Sequence, residues 1–210
     1  CAAACAANFA IECDVQLSAD GEAVVFHDST LDRLTVAQGR VGALTVDELR
    51  TIDFKNTADH IPTLSELCAI VAGRVPLVIE IKSRYDRDPR LAARTAEVLQ
   101  SYAGPVGAMS FDPVVMSGLR RIAPGLPRGL VAEKSSPVDV GLRHGAYWRE
   151  VFRSRPHFLA WSVNELPATA PLIGRFVFGL PLLTWTVRTE AQRKIAGRYA
   201  SQMIFEGFRP

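Results

Sequence analysis

FAIECDVQLSADGEAVVFHD, residues 9–28, contains two apolar runs on either side of a polar turn sequence. The runs occupy 9–11 and 24–26, and the turn sequence between them is Ser-Ala-Asp-Gly at 18–21. This pattern predicts a strand, a tight hairpin and a second strand that runs back beside the first.

Chemically active side chains lie on both strands of this predicted hairpin. Glu12 and Asp14 are two positions apart on the first strand, so their side chains point to the same side. His27 and Asp28 end the second strand, and the hairpin brings the imidazole of His27 back towards the two acids. Two carboxylates and an imidazole in one place suggest a metal-assisted acid/base site.

Strand and helix patterns alternate along the rest of the chain, which predicts an α/β fold with a parallel sheet. Apart from the hairpin's second strand, the predicted strands begin near Phe9, Leu77, Val106, Arg128, Phe158, Leu182 and Met203. Helices are predicted near 45–52, 63–73, 88–102, 113–122, 168–176 and 190–200, and the stretch 138–152 is amphipathic. The residues alone leave two alternatives, a barrel that lacks one of its eight strands and an open doubly wound sheet.

Composition excludes several classes of partner. The 210 residues carry a net charge of +2 with no Lys/Arg-rich run, so we expect no nucleic-acid partner. No apolar run reaches the about 18 residues that a membrane span needs. The four cysteines lack the paired spacing of a metal site, which favours a reducing cytoplasm. The sequence does not define an oligomeric state.

A series of short motifs resembles the glycerophosphodiester phosphodiesterase family. The hairpin supplies Ile-Glu-Cys-Asp-Val at 11–15, Ser-Ala-Asp-Gly at 18–21 and Val-Val-Phe-His-Asp at 24–28. Further matches follow in family order at Leu31-Asp32-Arg33, Ile61-Pro62-Thr63-Leu64, Ile79-Glu80-Ile81-Lys82, Ser110-Phe111 and Thr184-Trp185-Thr186-Val187. The resemblance covers nearly the whole chain.

This resemblance implies a single TIM (β/α)8 barrel domain over 1–210, with a small insertion at 15–65 over its mouth. It implies that Glu12, Asp14 and Glu80 bind a divalent metal ion, Mg²⁺ or Ca²⁺. It also implies that His27 is a catalytic acid or base. Lys82 and Trp185 would contact the substrate, the lysine through a phosphate oxygen.

Each of these residues has an ordinary alternative role. The three acids could pair with arginines or lysines, and His27 could be a surface histidine held by Asp28. Lys82 could form a salt bridge to Glu12 or Glu80, a role that is compatible with phosphate binding. Trp185 could pack in the core. The remaining histidines are predicted to be solvated surface residues: His60, His144 and His157.

The family's first strand carries a His-Arg-Gly motif, which holds a second catalytic histidine and a phosphate-binding arginine. The sequence contains no such motif. The pattern from Cys1 to Ala7 is typical of the middle of a helix, because no N-cap residue precedes it. We therefore expect the first strand to be missing here, because it lies upstream, was removed or does not exist in this protein. We expect the chain without it to be inactive.

The function that the resemblance implies is metal-dependent hydrolysis of glycerophosphodiesters to glycerol 3-phosphate and an alcohol. Two alternatives remain open at this point. One is a catalytically silent barrel that binds glycerophosphodiesters or a protein partner, and the other is a lyase that acts on phospholipid head groups. The sequence does not indicate which alcohol is released.

Overall fold

The computed structural model describes residues 1–133 and 151–210, in which strands and helices alternate. The strands are β1 (Ile11–Leu17), β2 (Ala23–Val25), β3 (Leu77–Ile81), β4 (Val106–Ser110), β5 (Arg128–Ala132), β6 (Phe158–Ser162), β7 (Leu182–Val187) and β8 (Gln202–Phe205). The helices are α1 (Ala2–Ala6), α2 (Val46–Arg50), α3 (Leu64–Val71), α4 (Arg90–Gln100), α5 (Pro113–Ile122), α6 (Thr169–Phe176) and α7 (Glu190–Tyr199). The predicted α/β class is confirmed. His144 and most of the amphipathic stretch 138–152 lie outside the described residues.

The chain divides into two compact units. The first comprises Cys1–Ala108 and Arg121–Leu126, and the second comprises Met109–Arg120 and Pro127–Pro210.

β1 is the organising strand of the first unit. It pairs antiparallel with β2 and parallel with β3. The turn after β1 closes because the Ser18 hydroxyl donates to Asp20 Oδ1 at 2.6 Å and the Ser18 amide donates to the Glu22 carbonyl at 3.0 Å. Gly21 takes φ +89°, a left-handed conformation in which glycine has no steric penalty. The predicted hairpin is therefore confirmed.

A small apolar core in the first unit begins on β2 of the hairpin and continues into the segments that follow it. It consists of Val24, Phe26, Leu31, Val41, Val46, Leu49 and Ile61. Two capping boxes fix the helices next to it, because Thr45 and Glu48 exchange hydrogen bonds at the start of α2, and Thr63 and Glu66 do so at the start of α3. The insertion at 15–65 and the single domain over 1–210 remain predictions.

The second unit contains a parallel sheet in the order β5-β6-β7-β8. Gly129 on β5 is the register partner of Phe158 on β6, so the ring of Phe158 covers the position where a side chain would stand. Buried Val163, Val187 and Ala196 hold α7 against β7. The parallel pairing of β5, β6, β7 and β8 is the one that the alternation of strands and helices predicts.

Across residues 1–133 and 151–210, the structure contains no helix with the length and apolar character needed to cross a membrane.

Candidate metal and acid–base site

Three carboxylates converge at β1 and β3 of the first unit. The register places Asp14 opposite Glu80 and Glu12 opposite Val78, so the side chains of all three acids leave the same side of the sheet. One oxygen from each of Glu12, Asp14 and Glu80 lies within 4.8 Å of the other two. Glu80 is buried, and Glu12 and Asp14 are half-buried. The structure thus brings together the three predicted ligands.

Lys82 supplies one positive charge to this cluster. Its Nζ lies 2.6 Å from Asp14 Oδ1 and 2.5 Å from Glu80 Oε1. The backbone amide of Lys82 donates to the Val15 carbonyl at 3.2 Å, which fixes its position just past the end of β3. A salt bridge to Glu12 or Glu80 was the ordinary alternative role for Lys82. The bridge to Glu80 is present, and the second acid that it contacts is Asp14.

One ammonium group does not compensate three acids. Burial, together with the charges of Asp14 and Glu80, raises the pKa of Glu12 from 4.5 to about 8. Burial is also the main cause of the raised pKa of Glu80, and Lys82 opposes it. Burial alone would lower the pKa of Lys82, but the charges of Glu80 and Asp14 more than offset it, so that pKa is raised. The site is therefore deficient in positive charge.

The donor set fits a hard divalent cation. Mg²⁺ and Ca²⁺ prefer oxygen ligands, and three carboxylates leave coordination positions for water or a phosphate oxygen. A bound cation would also oppose the burial and the repulsion from Asp14 and Glu80 that together raise the pKa of Glu12.

The hairpin places His27 next to the carboxylates. The amide of Phe26 donates to the Asp14 carbonyl at 3.0 Å, and Gln16 Nε2 donates to the His27 carbonyl at 3.2 Å. The charge of His27 also acts on Glu80, where it is the smallest of the influences on the carboxyl pKa and lowers it. Its side chain is 60% exposed, so it remains accessible to a ligand in solvent.

Asp28 holds the imidazole of His27, as one of the expected alternatives had it, and Arg33 in turn holds Asp28, which was not expected. His27 Nδ1 lies 2.6 Å from Asp28 Oδ1. Arg33 binds the same carboxylate in a bidentate manner, from Nε at 2.6 Å and from Nη2 at 2.7 Å. Hydrogen bonds from Arg33 first, and from His27, lower the pKa of Asp28 to about 2. Since an ionised carboxylate only accepts, Nδ1 donates, and Nε2 is left to face a ligand.

Trp185 lies on β7 in the second unit. Its ring makes an edge contact with Phe111, with centroids 5.6 Å apart. The indole Nε1 is buried and has no hydrogen-bond partner among the described residues. Packing against Phe111 thus explains the position of the Trp185 ring, but it does not satisfy the indole N–H group.

Two of the other histidines lie on the surface, as predicted. His60 is exposed, and His157 is exposed with its Nδ1 accepting from the Arg128 amide at 3.2 Å.

Comparison with known proteins gives one family over most of the chain. The sequence model of the Glycerophosphoryl diester phosphodiesterase family matches residues 2–205. A glycerophosphodiester phosphodiesterase of Caldanaerobacter subterraneus subsp. tengcongensis is 33% identical over 148 residues, which are 65% of this chain and 61% of that protein. Glycerophosphodiester phosphodiesterase 1 of Bos taurus is 27% identical over 172 residues, 74% of this chain and 51% of that protein. The chain thus spans between half and two thirds of each of these relatives.

Solved structures establish the fold. A phosphodiesterase of Oleispira antarctica, solved with its product sn-glycerol-3-phosphate, has a TM-score of 0.78 at 21% identity, over 92% of this chain and 79% of that one. A glycerophosphodiester phosphodiesterase of Thermotoga maritima has a TM-score of 0.73 at 24% identity, over 97% of this chain and 84% of that one. The predicted fold class, an α/β fold of the (β/α)8-barrel type, is confirmed.

Proposed function

Because the chain belongs to the glycerophosphoryl diester phosphodiesterase family, we propose that it hydrolyses glycerophosphodiesters to glycerol 3-phosphate and an alcohol. One observation carries the proposal: three carboxylates and an ammonium group lie together at β1 and β3, beside an imidazole that is held by its own carboxylate. These are the groups that phosphodiester cleavage needs for charge neutralisation and proton transfer.

Glu12, Asp14 and Glu80 would bind the metal ion, Mg²⁺ or Ca²⁺. When bound, such a cation supplies Lewis-acid stabilisation of the charge on the phosphoryl group. Lys82, on the same side of β3 as Glu80, would contact a non-bridging phosphate oxygen. In this arrangement the acids would bind the metal ion and Lys82 would orient the phosphate group. The phosphate ester bond that breaks would then have to face His27.

His27 would transfer the proton at Nε2. The hydrogen bond from Nδ1 to Asp28 fixes the neutral tautomer in which Nε2 has a lone pair, so Nε2 can remove a proton from an attacking hydroxyl. The protonated imidazole can then return that proton to an oxygen. By family resemblance, a second histidine in a His-Arg-Gly motif would share this work, and that motif is not part of the sequence.

We assign Trp185 to substrate contact within the same proposal. A buried N–H group without a partner costs about 1–3 kcal/mol. An oxygen of the substrate would satisfy the indole Nε1, which is buried without a partner among the described residues.

We also propose a cytoplasmic location, which the four free thiols support. Cys1, Cys5, Cys13 and Cys68 all lie within the described ranges, and none forms a disulfide there.

The test is an assay of glycerol 3-phosphate release from glycerophosphocholine and glycerophosphoethanolamine, with Mg²⁺ or Ca²⁺. It should use both residues 1–210 and a version that includes whatever the gene encodes upstream. We expect His27→Ala to lower turnover by at least about 100-fold without changing the melting temperature. His60→Ala is the matched control, because His60 is an exposed histidine elsewhere.

Undiminished turnover in His27→Ala would refute the assignment. A cyclic phosphate as the final product would indicate a lyase instead. Binding without turnover by the version that includes the upstream residues would indicate a silent barrel.

A further inference from the structure

We propose that Lys82 is an internal counter-ion: it neutralises Asp14 and Glu80 in the metal-free protein, leaves them when a divalent cation binds, and then contacts the substrate phosphate. The inference rests on the proposed function, which assigns the metal ion and the phosphate to this site.

The ammonium group of Lys82 contacts one oxygen of each of two carboxylates. Nζ lies between two carboxylates, 2.6 Å from Asp14 Oδ1 and 2.5 Å from Glu80 Oε1. These are two of the three residues whose oxygens lie within 4.8 Å of one another. The side chains of Asp14 and Glu80 are only 15% and 9% exposed, so bulk water does little to compensate their charge.

A metal ion and the ammonium group compete for these oxygens. Mg²⁺ and Ca²⁺ bind carboxylate oxygens at about 2.0–2.6 Å, so an ion on Asp14 Oδ1 would lie within about 5 Å of Nζ if the lysine stayed. Two cations so close in a partly buried site repel each other. The lysine therefore has to give up its contacts with the oxygens that the metal ion takes.

The structure permits this exchange without a change in the backbone. The Lys82 amide donates to Val15 at 3.2 Å and keeps the main chain in place. The Lys82 side chain is 22% exposed, so it is partly open to the solvent from which a ligand would approach. The flexible four-carbon stem of a lysine, with three rotatable donors, can move from one anion to another by rotamer changes alone.

Lys82 therefore has opposite effects on two ligands. It weakens the binding of the metal ion, because that ion must displace it. It strengthens the binding of the phosphate, because the displaced ammonium group can then donate a hydrogen bond to a phosphate oxygen.

The first experiment measures metal affinity without substrate, by titration calorimetry with Mg²⁺ and with Ca²⁺. We expect Lys82→Met to bind the cation at least about tenfold more tightly than the wild type, within the usual range of coupling between two ligands. Lys194→Met is the matched control, because it removes the same charge from an exposed position on α7 and should leave the affinity unchanged. Equal or weaker affinity in Lys82→Met would overturn the inference.

The second experiment uses the wild type, so it does not depend on the folding of a variant. Reductive methylation, followed by mass spectrometry, reports how accessible each lysine is. We expect Mg²⁺ to increase the labelling of Lys82 and glycerol 3-phosphate to reduce it again, with Lys194 constant throughout. Labelling of Lys82 that does not respond to Mg²⁺ would overturn the inference.

These experiments separate the inference from the function on which it rests. If metal affinity and labelling change as expected but the version with the upstream residues hydrolyses no glycerophosphodiester, the counter-ion role stands and the proposed hydrolase activity fails. If the wild type binds neither cation, both are wrong.

Discussion

Asp14 and Glu80 are register partners on neighbouring parallel strands, and one lysine nitrogen bridges an oxygen of each. Two buried or half-buried carboxylates that leave a sheet side by side repel each other unless a positive charge lies between them. The electrostatics of the site therefore follow from the register of β1 and β3.

The first prediction concerns the metal ligands. Asp14→Asn should weaken Mg²⁺ binding at least about tenfold, because the affinity of oxygen sites follows the charge of their ligands. Calorimetry measures the affinity directly. Asp47→Asn is the control, since the Asp47 side chain is 94% exposed. An equal effect of both substitutions, or no effect of Asp14→Asn, would exclude this aspartate as a ligand.

The second prediction is a pH dependence of stability. The pKa of Glu12 is about 8 in the fold against an ordinary 4.5, so the folded state binds this proton more tightly than the unfolded state. The resulting stabilisation is complete below pH 4.5 and is lost as the pH rises to about 8. Its upper limit is about 5 kcal/mol. In EDTA, thermal unfolding should therefore show a falling melting temperature between pH 5 and pH 8.

Glu12→Gln is the control for this effect, because a neutral amide does not titrate. It should flatten the slope in EDTA and make the metal-free protein more stable at pH 8. Saturating Mg²⁺ should flatten the slope of the wild type. An unchanged slope in Glu12→Gln would mean that another group causes the pH dependence.

The third prediction tests whether Asp28 positions His27. Asp28→Asn can donate to Nδ1 and so favour the wrong tautomer, with the proton on Nε2. We expect kcat to fall by at least about 100-fold with little change in KM. Nitrogen NMR should show the proton moving from Nδ1 to Nε2, which a general loss of stability would not cause. Asp32→Asn is the control, because Asp32 instead accepts from the Gly39 amide at 3.1 Å.

The fourth prediction concerns Arg33. Arg33→Met should raise the pKa of Asp28 from about 2 towards 3.8, because the hydrogen bonds from Arg33 are the largest cause of its lowered value. A lowered pKa stabilises the fold above pH 3.8, and this contribution is lost as the pH falls to about 2. The variant should therefore be about 1 kcal/mol less stable than the wild type at pH 5, after allowance for solvent screening, and equally stable near pH 2.

Carbon NMR of the Asp28 carboxyl group measures that pKa, and urea unfolding at the two pH values measures the stability. Exposed Arg40 provides the control, as Arg40→Met removes a charge from the same segment. An unchanged pKa of Asp28 in Arg33→Met would contradict the prediction.

The fifth prediction tests packing in the second unit. In Gly129→Ala, the new Cβ would lie 2.1 Å from Cε2 of Phe158, so the ring must move. We expect a loss of about 1–3 kcal/mol in the free energy of unfolding in urea. At Gly125 a Cβ meets nothing within 4 Å, so Gly125→Ala should change stability by less than about 0.5 kcal/mol. Similar losses in both variants would show that the ring of Phe158 is not the cause.

Local periodicity was sufficient to predict the features that depend on neighbouring residues. The two-residue period of a strand predicts that Glu12 and Asp14 share a side, and they do. The Thr45–Glu48 pair predicts a capping box, which is present. Contacts between side chains so close along the chain follow from their spacing in the sequence.

Contacts between distant segments could not be predicted in this way. Glu80 meets Asp14 because β1 pairs with β3 in one register, which no local pattern defines. The same register explains why Lys82 contacts Asp14. Arg33 binds Asp28 across an irregular loop, where no periodic signal exists. The roles of Glu12, Asp14, Glu80, His27, Lys82 and Trp185 as functional residues remain predictions.

The hydrogen bond from the Phe26 amide to the Asp14 carbonyl links the strand with two of the acids to the segment that ends in the imidazole. A local opening of this hairpin, far smaller than global unfolding, would separate cation binding and proton transfer in one event. The population of the competent site would therefore depend on the free energy of opening this hairpin as well as on the stability of the whole protein.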